Sequence, residues 1–85
     1  MDLKEIEQRL QDALQLTEVD VRSDGSHYTI VAVGEGFDGQ SKVKRQQAVY
    51  APLMDKITDG TLHALTIKAF TPAEWQREKI FNMPS

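Results

Sequence analysis

The chain has no cysteine among its 85 residues. That excludes disulfides, thiolate catalysis and a self-sufficient Cys-ligated metal centre. A soft metal or cluster bound here must use histidine or carboxylate, or thiolates brought by a partner. Long apolar runs are also missing, and nothing approaches the ~20 consecutive apolar residues of a membrane span. The opening Met1-Asp-Leu-Lys-Glu-Ile-Glu7 lacks the apolar centre of a secretory signal and the Arg/Ser-rich, acid-poor make-up of a transit peptide, so the expected compartment is the cytoplasm. Nor is there a surplus of positive charge. Ten Lys and Arg stand against 13 Asp and Glu, a net charge of −3, which tilts against a dedicated nucleic-acid binder while leaving room for a local basic face. Without repeats or low-complexity segments, residues 1–85 read as a single domain with one modest core.

The apolar positions that are present have clear periods. Leu3, Ile6, Leu10, Ala13 and Leu14 form a helical stripe with Asp2 and Glu5 as a cap pair, which predicts a helix over 3–15. Glu18 to Arg22 alternates, with Val19 and Val21 inward, and a Ser23-Asp24-Gly25-Ser26 turn leads into His27 to Val33, with Tyr28, Ile30 and Ala32 on one face. The short connection predicts an antiparallel hairpin. After a Gly34–Gly39 loop, a second helix is expected from Ser41, burying Val43, Tyr50, Leu53, Met54 and Ile57, kinked or broken at Pro52 and ended by Asp59-Gly60. Leu65, Ile67 and Ala69 then alternate in a third strand. Thr71-Pro72-Ala73-Glu74 is a capping box opening a last helix, which Trp75 packs back onto the sheet, and a frayed tail is expected at 81–85.

The order is αββαβα, an α+β arrangement. The second strand, the long helix and the third strand make a βαβ unit, so a right-handed crossover should leave those strands parallel. Parallel strands begin at the same end of a sheet. His27 opens the second strand and His63 precedes the third, so the chain's two histidines should share one end although they lie far apart in sequence.

Three features invite a chemical reading. Gly34-x-Gly36-x-x-Gly39 has the spacing of a dinucleotide fingerprint between strand and helix, but its strand is half of a hairpin and several parallel strands are lacking, so it reads as a glycine-rich turn. Lys42, Lys44 and Arg45 form a basic run that is either a phosphate-contacting patch or a solvated helix face, and no aromatic interleaves with it as a stacking platform needs. Lys68 on the third strand adds a further cation. His27 and His63 are either surface residues or a ligand pair. Two imidazoles cannot close a zinc site even though Asp24 is near enough in sequence to His27 to contribute, so an incomplete set at an exposed edge suits a site finished by another molecule. Ser26 beside His27 has no orienting carboxylate or oxyanion loop, which leaves a hydrolase triad unsupported.

The runs Phe37-Asp-Gly-Gln-Ser-Lys-Val-Lys-Arg-Gln-Gln-Ala-Val-Tyr50 and His63-Ala-Leu-Thr-Ile-Lys-Ala-Phe-Thr-Pro-Ala-Glu-Trp75, with the Asp-Gly-Ser-His turn at 24–27, resemble the BolA family, most closely its short bacterial IbaG-like branch. The resemblance spans nearly the whole chain. It implies a three-stranded mixed sheet packed with helices, similar to class II KH domains. It also implies a non-enzymatic role in iron–sulfur trafficking, maturation or iron sensing, through a 2Fe–2S cluster shared with a monothiol glutaredoxin and glutathione. Within that resemblance His63 matches the firm ligand, and His27 matches a hairpin-loop position that is Cys or His among relatives. The glutaredoxin cysteine and glutathione supply the other two sulfurs, and the isolated chain, a monomer or weak homodimer, holds no cofactor. Lys42, Lys44, Arg45 and Lys68 become candidate contacts for glutathione carboxylates, acidic partner groups or nucleic acid. A nucleic-acid-binding transcriptional regulator is the alternative that the KH-like fold permits. One departure is Arg45-Gln46, where many relatives carry Arg-His, so no role resting on a histidine there carries over.

Overall fold

The computed structural model describes the backbone of residues 1–82 and side chains through Glu78. Helix α1 (Leu3–Leu14) is opened by Asp2, whose carboxylate accepts from the Lys4 N–H at 3.1 Å. Its apolar stripe buries Ile6 and Leu10, while Ala13, expected on that stripe, lies on the exposed side. Gln15 then takes a left-handed conformation (φ 50°) and its N–H bonds back to Gln11 O, ending the helix.

Strand β1 (Glu18–Ser23) pairs antiparallel with β2 (Tyr28–Val33), and β2 pairs parallel with β3 (Leu65–Phe70), so β2 is central in a mixed sheet of order β1-β2-β3. The alternation predicted for each strand sets the register. Val21 stands opposite Ile30 and Ile30 opposite Ile67, which lines one face with the core. Helix α1 covers that face with Ile6 and Leu10. It is joined by Val49 of α2 (Lys42–Tyr50), by Leu53, and by Leu62 in the approach to β3. The chain reaches α2 through a 3-10 turn, Glu35–Phe37, that buries Phe37. A Cβ on Gly34 would come within 2.9 Å of Leu16 Cδ2, so the first glycine of that loop sits in close packing against the Leu16 side chain, which would have to shift to admit a larger residue.

The long second helix is divided at Pro52, as its sequence demands. Helix α2 stops at Tyr50, a 3-10 turn spans Ala51–Leu53, and a short α3 covers Met54–Thr58. The expected burial on this segment is corrected at two positions: Val43 is 63% exposed and Met54 50% exposed. The buried stripe is centred on Val49. Val43 lies six residues earlier, about 120° away around a helix of 3.6 residues per turn. Met54 follows Leu53 directly and so turns out of the core that Leu53 fills.

Helix α4 (Pro72–Asn82) starts with the expected capping box: Glu74 N–H donates to Thr71 Oγ1 (3.2 Å) and Thr71 N–H to Glu74 Oε1 (2.9 Å). Trp75 lies against Phe70 of β3 with ring centroids 5.3 Å apart. Of the frayed tail expected at 81–85, residues 83–85 fall outside the described residues, and α4 runs through Asn82. Among the described residues no helix is long and apolar enough to cross a membrane.

Candidate functional site

The parallel register settles where the histidines stand. Tyr28 is level with Leu65, and its N–H donates to Ala64 O at 2.8 Å, so the ladder carried one residue further puts His27 level with Ala64 and next to His63. Both histidines are exposed, at the end of the sheet where β2 and β3 begin. The turn chemistry of the hairpin positions the first of them. The Asp24 carboxylate accepts from the His27 N–H at 2.9 Å, Gly25 supplies the left-handed residue (φ 105°), and Asp24 N–H closes the turn on His27 O. That His27 N–H is the main reason the Asp24 carboxyl titrates below its usual range. Asp24 is therefore occupied in shaping the loop, and among the described residues no cluster of three or more His, Cys, Asp or Glu could hold a metal ion.

Each imidazole is held by one ring nitrogen. His63 Nδ1 is 3.2 Å from Gly60 O. A carbonyl only accepts, so in the neutral ring Nδ1 carries the proton and Nε2 keeps its lone pair. His27 is held from the other side, its Nε2 lying 2.7 Å from Thr66 Oγ1 on the outer face of β3. The hydroxyl can accept, so a neutral His27 protonated at Nε2 leaves Nδ1 open. Each side chain can thus present one basic nitrogen while the other is anchored, the arrangement that metal-bound histidines ordinarily have.

The basic run divides. Lys42 and Lys44 are exposed at the start of α2, and Lys68 is exposed on β3. Arg45 is not a free cation, for its side chain is only 14% exposed. It donates to Gln40 O (3.1 Å), to Ala69 O (3.3 Å) and, through both terminal nitrogens, to the Glu74 carboxylate (2.6 and 3.3 Å). The guanidinium, with Thr71 N–H, holds Glu74 down to about 2. Sequence reasoning treated Arg45 as a contact and Glu74 as a cap, and missed that they lock α2 to α4 across the edge of β3. Only the crossover topology brings the two together.

Beside this lock lies a cleft of about 830 Å³, floored by Thr66, Ile67 and Ala69 and walled by Lys42 and Arg45 on one side and Arg77 on the other. It contains neither histidine. Thr66, which anchors His27, is part of its floor, so the cleft and the histidine end share one strand.

Comparison with known proteins decides the relationship. The family model described as "BolA-like protein" matches residues 5–74. The chain belongs to the BolA family. This BolA-family chain is 55% identical to the acid stress protein IbaG of Escherichia coli K12 over 82 residues, 96% of this chain and 98% of that one, which places it in the IbaG-like branch. Among solved structures it resembles the BolA domain of SufE1 from Arabidopsis thaliana (TM-score 0.77, 33% identity, 85% of this chain and 93% of that one). It likewise resembles BolA1 from the same plant (TM-score 0.74, 32% identity, with the same coverage). The α+β fold with its mixed three-stranded sheet is that of the family, whose members are non-catalytic regulatory or accessory proteins; this chain is not an enzyme.

Proposed function

We propose that this protein shares a 2Fe–2S cluster with a monothiol glutaredoxin and glutathione, with His63 and His27 as its ligands, in cluster trafficking, maturation or iron sensing. One observation carries the reading: two exposed imidazoles stand at one end of the sheet, each anchored through one nitrogen so that the other can face a ligand. The donor set fits a shared cluster and not a private one. With no cysteine and no third ligating group nearby among the described residues, the chain can fill only half of a four-ligand set, and sulfur must come from a partner. When bound, a cluster with histidine on one iron has a higher reduction potential than one held by thiolates alone. The chain's own part is to orient the rings: Gly60 O fixes the tautomer of His63, and Thr66 Oγ1 engages Nε2 of His27 and leaves Nδ1 to face a ligand.

Anaerobic reconstitution with a monothiol glutaredoxin and glutathione tests this, comparing the visible absorbance and circular dichroism of the wild type, His27→Ala and His63→Ala. His63→Ala should lose the mixed-complex spectrum, and His27→Ala should weaken or alter it. Wild-type spectra from both variants would sink the assignment. The alternative, a nucleic-acid-binding regulator, makes the opposite demand: binding that falls steeply with salt and survives His63→Ala.

A further inference from the structure

Among the described residues the outer edge of β3 has no neighbouring strand. The ladder shows which groups it leaves open. Tyr28 N–H donates to Ala64 O and Gly34 N–H to Phe70 O, so in the parallel pairing the even-numbered residues of β3 bond to β2 and Leu65, Ile67 and Ala69 turn their N–H and C=O outward. Arg45 takes the Ala69 carbonyl. The outward groups of Leu65 and Ile67 and the Ala69 N–H have no partner among the described residues. Ile67 is 7% exposed and its side chain belongs to the core, so what it brings to the floor of the cleft is main chain. Main-chain donors and acceptors along a strand edge are a template for another extended chain.

The walls choose the chemistry of that chain. Arg45 and Glu74 neutralise each other, leaving Lys42, Lys68 and Arg77 against Glu78 around the cleft. Neither Lys42 nor Arg77 has an ion-pair partner among the described residues. This local positive balance sits on a protein of net charge −3. We infer that the cleft between α2 and α4 is a docking site for an extended acidic segment of a protein partner, which pairs with β3 as a fourth strand while its carboxylates meet Lys42 and Arg77. A second copy of this chain is the poorer occupant, because edge-to-edge pairing would bring the same cations face to face. A nucleic-acid backbone is poorer too, since its phosphates offer acceptors only and leave the outward carbonyls of Leu65 and Ile67 unmet. At ~3.3 Å per residue the edge from Leu65 to Ala69 accommodates about five residues, and the Arg45 guanidinium on Ala69 O closes one end. The inference stands apart from the cluster reading and needs neither histidine.

The test is NMR titration of the isotope-labelled full chain with the capped hexapeptide Val-Glu-Val-Glu-Val-Glu. Its Lys-for-Glu counterpart, a copy N-methylated at alternate residues, and a short oligothymidylate serve as comparators. Expected are shifts centred on the Ile67 and Ala69 amides, about tenfold weaker binding of the N-methylated peptide, and a comparable loss in Lys42→Glu/Arg77→Glu. His27→Ala/His63→Ala should bind as the wild type does, so failure of the cluster reading leaves this result standing. The proposal is overturned if the acidic peptide does not bind at about millimolar concentration, if the N-methylated or lysine peptide binds equally well, or if only the oligothymidylate moves these amides.

Discussion

His27 Nε2 and Thr66 Oγ1 lie 2.7 Å apart, a single hydrogen bond joining the end of the hairpin to the outer face of β3. Thr66 is exposed and fills no part of the core, so its hydroxyl can be removed without opening a cavity. On the proposed function it fixes which nitrogen of His27 is free. Thr66→Val should leave the fold intact yet speed loss of the shared cluster by about tenfold, the lower end of what removing a metal ligand's hydrogen-bond partner costs. Thr66→Ser, which restores the hydroxyl, should behave as the wild type. The decay of visible absorbance after dilution into chelator measures this, and equal decay in Thr66→Val and wild type would leave Thr66 without a positioning role.

The Arg45–Glu74 lock makes stability depend on pH in one direction. The folded-state carboxyl of Glu74 is held down from 4.5 to about 2, first by its hydrogen bond with Arg45 and then by the Thr71 N–H. A depressed carboxyl stabilises the fold above its unfolded value and loses that contribution as the pH falls from 4.5 towards 2. The carboxylate is 37% exposed and the pair is screened by solvent, so the contribution is about 1 kcal/mol. Glu74→Gln should therefore be less stable than wild type at neutral pH, and the two should converge near pH 2. Urea unfolding followed by Trp75 fluorescence across this range checks it, and parallel stability curves would show that the lock is not charge-dependent.

Strand periodicity, hairpin chemistry, the Pro52 break and the capping box were all legible because each depends on residues close in sequence. The placing of both histidines at one end was legible because a strand–helix–strand connection makes its two strands parallel, a rule that needs no side-chain detail. What escaped was the phase of the second helix. Leu53 fills the core as expected and Tyr50 and Ile57 pack against it partly buried, but the buried stripe of α2 is centred on Val49, which leaves Val43 outside, and Met54 turns out of the core beside Leu53. Arg45 escaped for a different reason: nothing local distinguishes a solvated arginine from one that reaches Glu74, 29 residues away.

The corrected phase has unequal consequences for two apolar residues of that segment. Leu53 is fully buried among Ile6, Leu10 and Val49, whereas Val43 stands 63% exposed. Leu53→Ala should destabilise the fold by about 2–4 kcal/mol through lost burial and the cavity left behind, and Val43→Ala by no more than about 0.5 kcal/mol. Urea midpoints of the two variants are the measurement. Similar losses at both sites would mean that Val43 is covered in the folded protein.

Gly60 connects stability to the proposed ligand end. It follows α3 with φ 86°, a conformation that costs an L side chain, although a Cβ there would meet nothing within 4 Å. Any loss on substitution is therefore backbone strain and not a clash. Gly60→Ala should lower stability by about 1 kcal/mol, and the melting temperature by roughly 4–8 °C for a domain of this size. Asn tolerates the left-handed region better, so Gly60→Asn should lose less. The same peptide unit carries the carbonyl that accepts from His63 Nδ1, so relaxing the strain by rotating it would also release the ring. Ring-nitrogen NMR shifts should show His63 protonated mainly at Nδ1 in the wild type and in Gly60→Asn. In Gly60→Ala that preference should fall towards an even mixture, and an unchanged tautomer in a destabilised Gly60→Ala would separate the turn's conformation from the orientation of His63.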